Sequence, residues 1–261
     1  MRALRSTLAP SVRSRARHYT VRALSNTNAF YKLRIPPNLV STLETLRVTE
    51  PSPPQLAALA ALVPPPPSQT QLPRPPDAVM LRFPTGSGKT LAYALPLLAR
   101  LQQEHYDGAE CLRAVVVCPT RELALQTLRT LQKLTRHGRL NKKGNRLVVG
   151  SCMGRITDDM GVGLRLHPPA ILVGTPQPLG LLLYAGVLPM IPALNRRYLI
   201  LDEVDTLRQP HRWPHVARVL SAPAPLIQPG YARGIKDLSP LHQMTRDMDA
   251  MPEPPSIPGV W

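Results

Sequence analysis

Aromatic residues are scarce in this chain. Two Phe, two Trp and seven Tyr make up 4% of 261 residues, while 43% of residues are hydrophobic. A sizeable core can form, and it must be aliphatic. Cysteine is scarcer still. Cys111, Cys118 and Cys152 share no metal-ligand spacing, and so odd and sparse a set argues against structural disulfides and for a reducing compartment. Cys118 ends an apolar run and is expected in the core. No apolar run approaches the ~20 residues that a helix needs to cross a bilayer. No internal repeat is present, and no acidic residue precedes Glu44.

Basic residues and proline are in excess. Lys and Arg number 32 against 16 Asp and Glu, a formal charge of +16. This balance favours phosphate-rich partners, nucleic acid first and anionic membrane second. Eight basic residues lie before Glu44 and supply half of the excess, so the electrostatic case from the rest of the chain is moderate. The Arg- and Ser-rich start, with Arg2, Arg5, Arg13, Arg15, Arg17 and Arg22, reads as a mitochondrial transit peptide over residues 1–34 that directs the chain to the matrix. Arg17-His18-Tyr19 resembles a peptidase cleavage site. The competing reading is a disordered basic arm that binds RNA directly. The 32 prolines exceed the usual ~5% of residues and concentrate from Pro51 to Pro76 and from Pro223 to Pro258. They predict helices followed by an extended linker within 35–76, a principal domain over 77–220, and a low-order tail over 221–261.

Within 35–63, Val40-Leu43-Leu46 and Gln55-Leu56-Leu59-Leu62 have helical spacing. Apolar runs at 78–83, 113–118, 146–149, 170–173 and 198–201 read as buried strands, with helices after the first, second and fourth. Near-continuous apolar strands separated by helices predict a parallel sheet covered on both faces. In such sheets ligands gather at the carboxyl ends of the strands, where the polar signatures of this chain are expected.

The first signature is Phe83-Pro84-Thr85-Gly86-Ser87-Gly88-Lys89-Thr90, between a predicted strand and a predicted helix. Its glycines allow backbone N–H groups to turn around an anion, and the following helix adds unpaired N–H groups. Lys89 offers a cation to phosphates and Thr90 a hydroxyl to Mg²⁺. An ordinary glycine turn is the bland reading. The second signature, Asp202-Glu203-Val204-Asp205, follows an apolar strand. Asp202 is assigned to the metal and Glu203 to the general base, against the alternative that both acids merely favour a helix N-terminus.

Thr85-Gly86-Ser87-Gly88-Lys89-Thr90, Pro119-Thr120-Arg121-Glu122-Leu123-Ala124-Leu125-Gln126, Thr175-Pro176 and Asp202-Glu203-Val204-Asp205 together resemble the first lobe of a DEAD-box ATP-dependent RNA helicase. Order and spacing agree over roughly residues 36–220, and divergent fungal mitochondrial members, including those that assemble the large mitoribosomal subunit, are the nearest in character. The resemblance implies an α/β fold, a P-loop NTPase RecA-like parallel sheet with helices on both faces, in a single incomplete lobe. It implies ATP and Mg²⁺ as cofactors and RNA as partner, mitochondrial ribosomal RNA among the candidates. Pro51-Ser52-Pro53-Pro54-Gln55 is similar in register to the family's adenine-reading motif, so Gln55 would read adenine. Residues Phe83, Pro84, Thr85, Gly86, Ser87, Gly88, Lys89 and Thr90 would bind the nucleotide. Pro119, Thr120, Arg121, Gly150 and Thr175 match positions that touch the RNA backbone, with helix capping as the plain alternative for Thr120 and Thr175. Asp205 matches a residue that joins motifs between the lobes.

The departures are specific. Phe83 stands where the family has alanine, Val204 replaces the third letter of the acidic motif, and Thr175-Pro176-Gln177-Pro178 lacks the family's arginine. No aromatic counterpart near Gln55 is evident, since Phe30 and Tyr31 are distant in sequence. After Leu220 neither the strand ending in Ser-Ala-Thr nor a second lobe is seen, which reads as the product of a truncated or mis-spliced helicase gene. Such a lobe would couple ATP hydrolysis to RNA remodelling when a second lobe is present. The other reading is a non-catalytic RNA- or ribosome-binding fragment. A metabolic P-loop kinase is disfavoured, because the run from Pro119 to Gln126 has no role there.

Overall fold

The computed structural model describes residues 29–63, 79–84, 86–103, 112–136, 147–184 and 198–221. The first 28 residues, the proline-rich linker, Thr85, Cys111 and the tail after Ser221 lie outside them. Four parallel strands form one sheet: β1 (Ala114–Val117), β2 (Val149–Cys152), β3 (Ile171–Gly174) and β4 (Tyr198–Leu201), in the order β2-β3-β1-β4. Ala114 lies opposite both Ile171 and Tyr198, and Val149 opposite Ile171, so the four carboxyl ends are level.

Side chains alternate across the pleat, and each face has its own core. Ala114, Val116, Ile171 and Val173 face the first core with Leu39, Leu43, Leu95, Leu98, Leu131 and Leu134. Those come from α1 (Pro37–Thr45), α3 (Lys89–Gln103) and α4 (Arg121–Thr135), and α2 (Pro53–Leu62) adds Leu59. Val115, Val117 and Leu172 face the second core with Leu179, Leu182, Leu207 and Val216. Those come from α6 (Pro176–Tyr184), α7 (Val204–Leu207) and α8 (Trp213–Ser221). The expected parallel sheet with both faces covered is what the chain forms. Each fully buried leucine in these layers contributes about 1.5–3 kcal/mol through the hydrophobic effect.

Several expectations need correction. Residues 79–84 carry no strand, and Met80 is 81% exposed. A strand needs a ladder neighbour, and none of the described strands pairs with this segment. The family's Ser-Ala-Thr strand would lie between this segment and β4. β4 is correspondingly an edge of the described sheet, with Leu199 exposed. The third strand begins at Val149 rather than 146, because its pairing with β3 starts there. Phe30, placed in the leader by the sequence reading, is fully buried in the first core, so residues 29–34 belong to the fold.

Helix α5 (Asp158–Leu166) was not expected. Its apolar residues Met160, Val162, Leu164 and Leu166 alternate with Gly161, Gly163 and Arg165, a period of two rather than 3.6. Val162 and Leu166 are exposed accordingly, and only Met160 and Leu164 pack on the second core. The readable signal was Thr157-Asp158-Asp159: Thr157 Oγ1 caps the helix by accepting from the Met160 N–H. Helix α8 was missed as well.

Candidate functional site

The loop before α3 turns on two glycines. Gly86 and Gly88 have φ of 78° and 88°, a region that a side chain disfavours. Ser87 Oγ donates to the Pro84 carbonyl at 2.8 Å and closes the turn. The Gly88 carbonyl accepts the Ala92 N–H at 3.1 Å and opens α3, so Lys89 and Thr90 occupy its first turn, half-buried. Phe83 is half-buried and Pro84 exposed.

Helix α2 is tied to this loop. Ser52 Oγ donates to the Ser87 carbonyl at 3.0 Å, and Gln55 Nε2 to the Gly88 carbonyl at 3.4 Å. Gln55 Oε1 accepts the Ser52 N–H at 3.1 Å, the glutamine half of a capping box. Gln55 is only 4% exposed, so both ends of its amide are engaged with the protein. Ser52 was not singled out by sequence, yet Ser-x-x-Gln at a helix start was the legible sign. The Ala29 N–H donates to the Thr49 carbonyl, which folds the Phe30 segment back beside the chain leading into α2.

The acidic strand end is tied to α3. The Asp202 N–H donates to the Val117 carbonyl at 2.9 Å, which fixes Asp202 beside the end of β1. The Tyr93 hydroxyl, one turn beyond Lys89, donates to Asp202 Oδ2 at 3.0 Å. The acidic strand end is thereby tied to the helix that follows the glycine loop. Glu203 has φ 51° and ψ 57°, left-handed backbone that glutamate rarely adopts. It occupies the N-cap of α7 without any side-chain capping bond, so simple capping does not explain it. Asp205 is exposed on α7.

Pro119, Thr120, Arg121 and Thr175 follow β1 and β3 directly and stand in the same row of strand ends as Asp202. Thr120 Oγ1 accepts the Leu123 N–H at 3.3 Å and caps α4. The Thr175 N–H donates to the Cys152 carbonyl, and the Thr175 carbonyl accepts from Leu179 to start α6. Gly150 is apart from this row: it lies inside β2, opposite Leu172, because that strand starts later than the sequence suggested.

Beneath the site, burial and then the Asp202 carboxylate push the Cys118 thiol up to about 12, and burial alone does the same for Cys152. Both are core residues, as expected for Cys118. Burial and Asp202 also push the Tyr93 phenol above its ordinary value, so it stays a proton donor. Among the described residues no group of three or more His, Cys, Asp and Glu could hold a metal by itself. Oxygen donors from Thr90 and Asp202 nevertheless suit Mg²⁺, which commonly takes one or two protein oxygens and completes its shell with substrate phosphates and water. Among the described residues no helix is long and apolar enough to cross a membrane.

Sheet order, glycine loop and acidic strand end define the class: a P-loop NTPase lobe of RecA-like fold. Solved structures agree. Dbp5 of S. cerevisiae, bound to RNA and ADP BeF3, superposes with TM-score 0.57 at 23% identity over 74% of this chain and 43% of its own. Prp28 of Chaetomium thermophilum, bound to ADP, gives 0.53 at 27% identity over 73% and 42%. The family profile described as DEAD/DEAH box helicase matches residues 55–231. The chain belongs to the DEAD-box helicase family, whose curated relatives are named ATP-dependent RNA helicases. "DEAD-box ATP-dependent RNA helicase 47A" of Oryza sativa subsp. japonica is 34% identical over 71% of this chain and 30% of its own length. "DEAD-box ATP-dependent RNA helicase 47, mitochondrial" of Arabidopsis thaliana is 31% identical over 72% and 32%. The matched region thus spans about a third of the length of these relatives.

Proposed function

We propose that this chain binds Mg-ATP and the backbone of single-stranded RNA as the first lobe of an RNA helicase, and couples ATP hydrolysis to RNA remodelling when joined by a second lobe. The observation that supports this is the Tyr93–Asp202 hydrogen bond, which ties the acidic strand end to α3 at the residue one turn after Lys89. Lys89 and the N–H groups of residues 86–90 receive the phosphates. Thr90 and Asp202 would hold Mg²⁺, whose chemistry is to neutralise phosphate charge and orient the terminal phosphoryl group. Glu203 would accept the proton of the attacking water. Gln55 would read adenine, which requires its amide to leave Ser52 and Gly88. Asp205 would carry the link between motifs of the two lobes. Pro119, Thr120, Arg121 and Thr175 would line the RNA sugar-phosphate track, with Gly150 at its margin. Contact with backbone rather than base edges would make binding indifferent to sequence.

In the family, the arginines that stabilise charge on the transferred phosphate come from the second lobe. An arginine finger contributes about 10³–10⁵ in rate in related NTPases, so the chain alone should turn over slowly and unwind nothing. The test is nucleotide binding and steady-state ATP turnover, with and without RNA. Saturable Mg-ATP binding that Lys89→Ala abolishes is expected. A wild-type affinity in Lys89→Ala defeats the assignment, and robust RNA-stimulated hydrolysis by the chain alone defeats the need for a partner lobe.

A second reading, a non-catalytic RNA- or ribosome-binding fragment, is favoured by the segment 79–84, which enters the loop without strand support. It is distinguished by Lys89→Ala keeping the biological effect. A mitochondrial matrix location is supported by the acid-free basic start and by the name of the Arabidopsis relative. Fusion of residues 1–28 to a fluorescent protein tests it, and mitoribosomal RNA is the first RNA to try.

A further inference from the structure

Tyr93 stands where three parts of the site meet. It lies on α3 four residues after Lys89, on the same face of the helix. Its hydroxyl is 3.0 Å from Asp202 Oδ2 at the end of β4 and 3.3 Å from Thr127 Oγ1 on α4. An ionised carboxylate only accepts, so Tyr93 gives its one proton to Asp202 and receives its second hydrogen bond from Thr127. Thr127 is 2% exposed, and the Tyr93 ring packs on the first core. Neither hydroxyl is free to wander. The core would need only a ring at this position, and the hydroxyl requires a separate explanation.

We propose that Tyr93 is a positioning residue: its hydroxyl holds Oδ2 of Asp202 and so presents the second carboxylate oxygen to magnesium-bound nucleotide, while Thr127 anchors that hydroxyl to α4. This rests on the reading of Asp202 as the metal carboxylate. Helix α4 is capped by Thr120, one of the residues assigned to the RNA track, so the same pair of hydroxyls would link the nucleotide side of the lobe to its RNA side.

The test uses the full chain and N-methylanthraniloyl-ADP, with affinity measured without metal and across a Mg²⁺ titration. Tyr93→Phe keeps the ring and removes the hydroxyl. The midpoint of the Mg²⁺ titration is expected to rise about three- to tenfold, the net scale of one ordinary hydrogen bond, with the metal-free affinity unchanged. Thr127→Val, which exchanges the hydroxyl for a methyl group, is expected to move the midpoint the same way by less. Asp202→Ala is expected to remove the Mg²⁺ response. If Tyr93→Phe and Thr127→Val keep the wild-type midpoint while Asp202→Ala loses the response, positioning is overturned and the metal assignment stands. A wild-type Mg²⁺ response in Asp202→Ala overturns both. Loss of metal-free affinity in Tyr93→Phe in step with its Mg²⁺ response marks a purely structural residue and also overturns the proposal.

Discussion

Two residues of the site hold backbone conformations that their neighbours depend on. Gly88 has φ 88°, and a Cβ there would stand 2.6 Å from Gln55 Nε2 and 3.2 Å from Ser52 Oγ. Gly88→Ala is expected to cost about 1–3 kcal/mol and to separate α2 from the loop. A thermal melt and a nucleotide titration check this, with affinity falling together with stability. Glu203 carries left-handed strain with a side chain that caps nothing. Glu203→Gly is expected to stabilise the fold by up to about 1 kcal/mol, because relief of the φ penalty outweighs the extra chain entropy that glycine loses on folding. Glu203→Gln keeps the strain and is expected to remove turnover while nucleotide binding remains. Gain of stability with loss of chemistry, read by denaturant unfolding and ATP turnover, would mark strain kept for function.

Elements position these residues through two kinds of contact: caps and close backbone crossings. Thr120 caps α4. Thr120→Ala is expected to cost about 1 kcal/mol, and Thr120→Asn to restore most of it. RNA affinity in Thr120→Asn separates the two roles, since a residue that only caps would bind RNA normally once the cap is restored. At Gly174, a Cβ would collide with the backbone carbonyl of Cys152 and stand 2.9 Å from Leu179 Cγ. Gly174→Ala should push β2 from β3 at a cost of about 1–3 kcal/mol, visible as a lower melting temperature. The sequence reading found α1, α2, α3, α4, α6 and three of the four strands, because their apolar residues matched the burial that packing later imposed. It failed at α5, whose alternating residues follow the wrong period, and at 78–83, where an apolar run has no ladder neighbour among the described strands. The three-residue shift of β2 was equally invisible, since pairing with β3 sets where that strand starts.

For the whole molecule, the two buried thiols predict a pH dependence. Cys118 and Cys152 are raised from 9.0 to about 12. The folded state therefore favours the neutral thiols, and the stability they contribute is complete below pH 9 and lost as pH rises through about 12. The slope for each is about 1.4 kcal/mol per pH unit within that window. Urea midpoints should fall as pH rises above 9, and Cys118→Ala should fall less steeply; equal slopes would refute the assignment. The sequence by itself determined the parallel sheet, the phosphate loop, the acidic strand end and the family, because each is written in contiguous residues whose chemistry is local. Tertiary structure alone decided that Gln55 is held by the loop, that Gly150 lies inside a strand, and that Phe30 belongs to the core. It also decided that Tyr93 meets Asp202, 109 positions away. Those are contacts between distant segments, fixed by strand register and helix packing, which no stretch of neighbouring letters records.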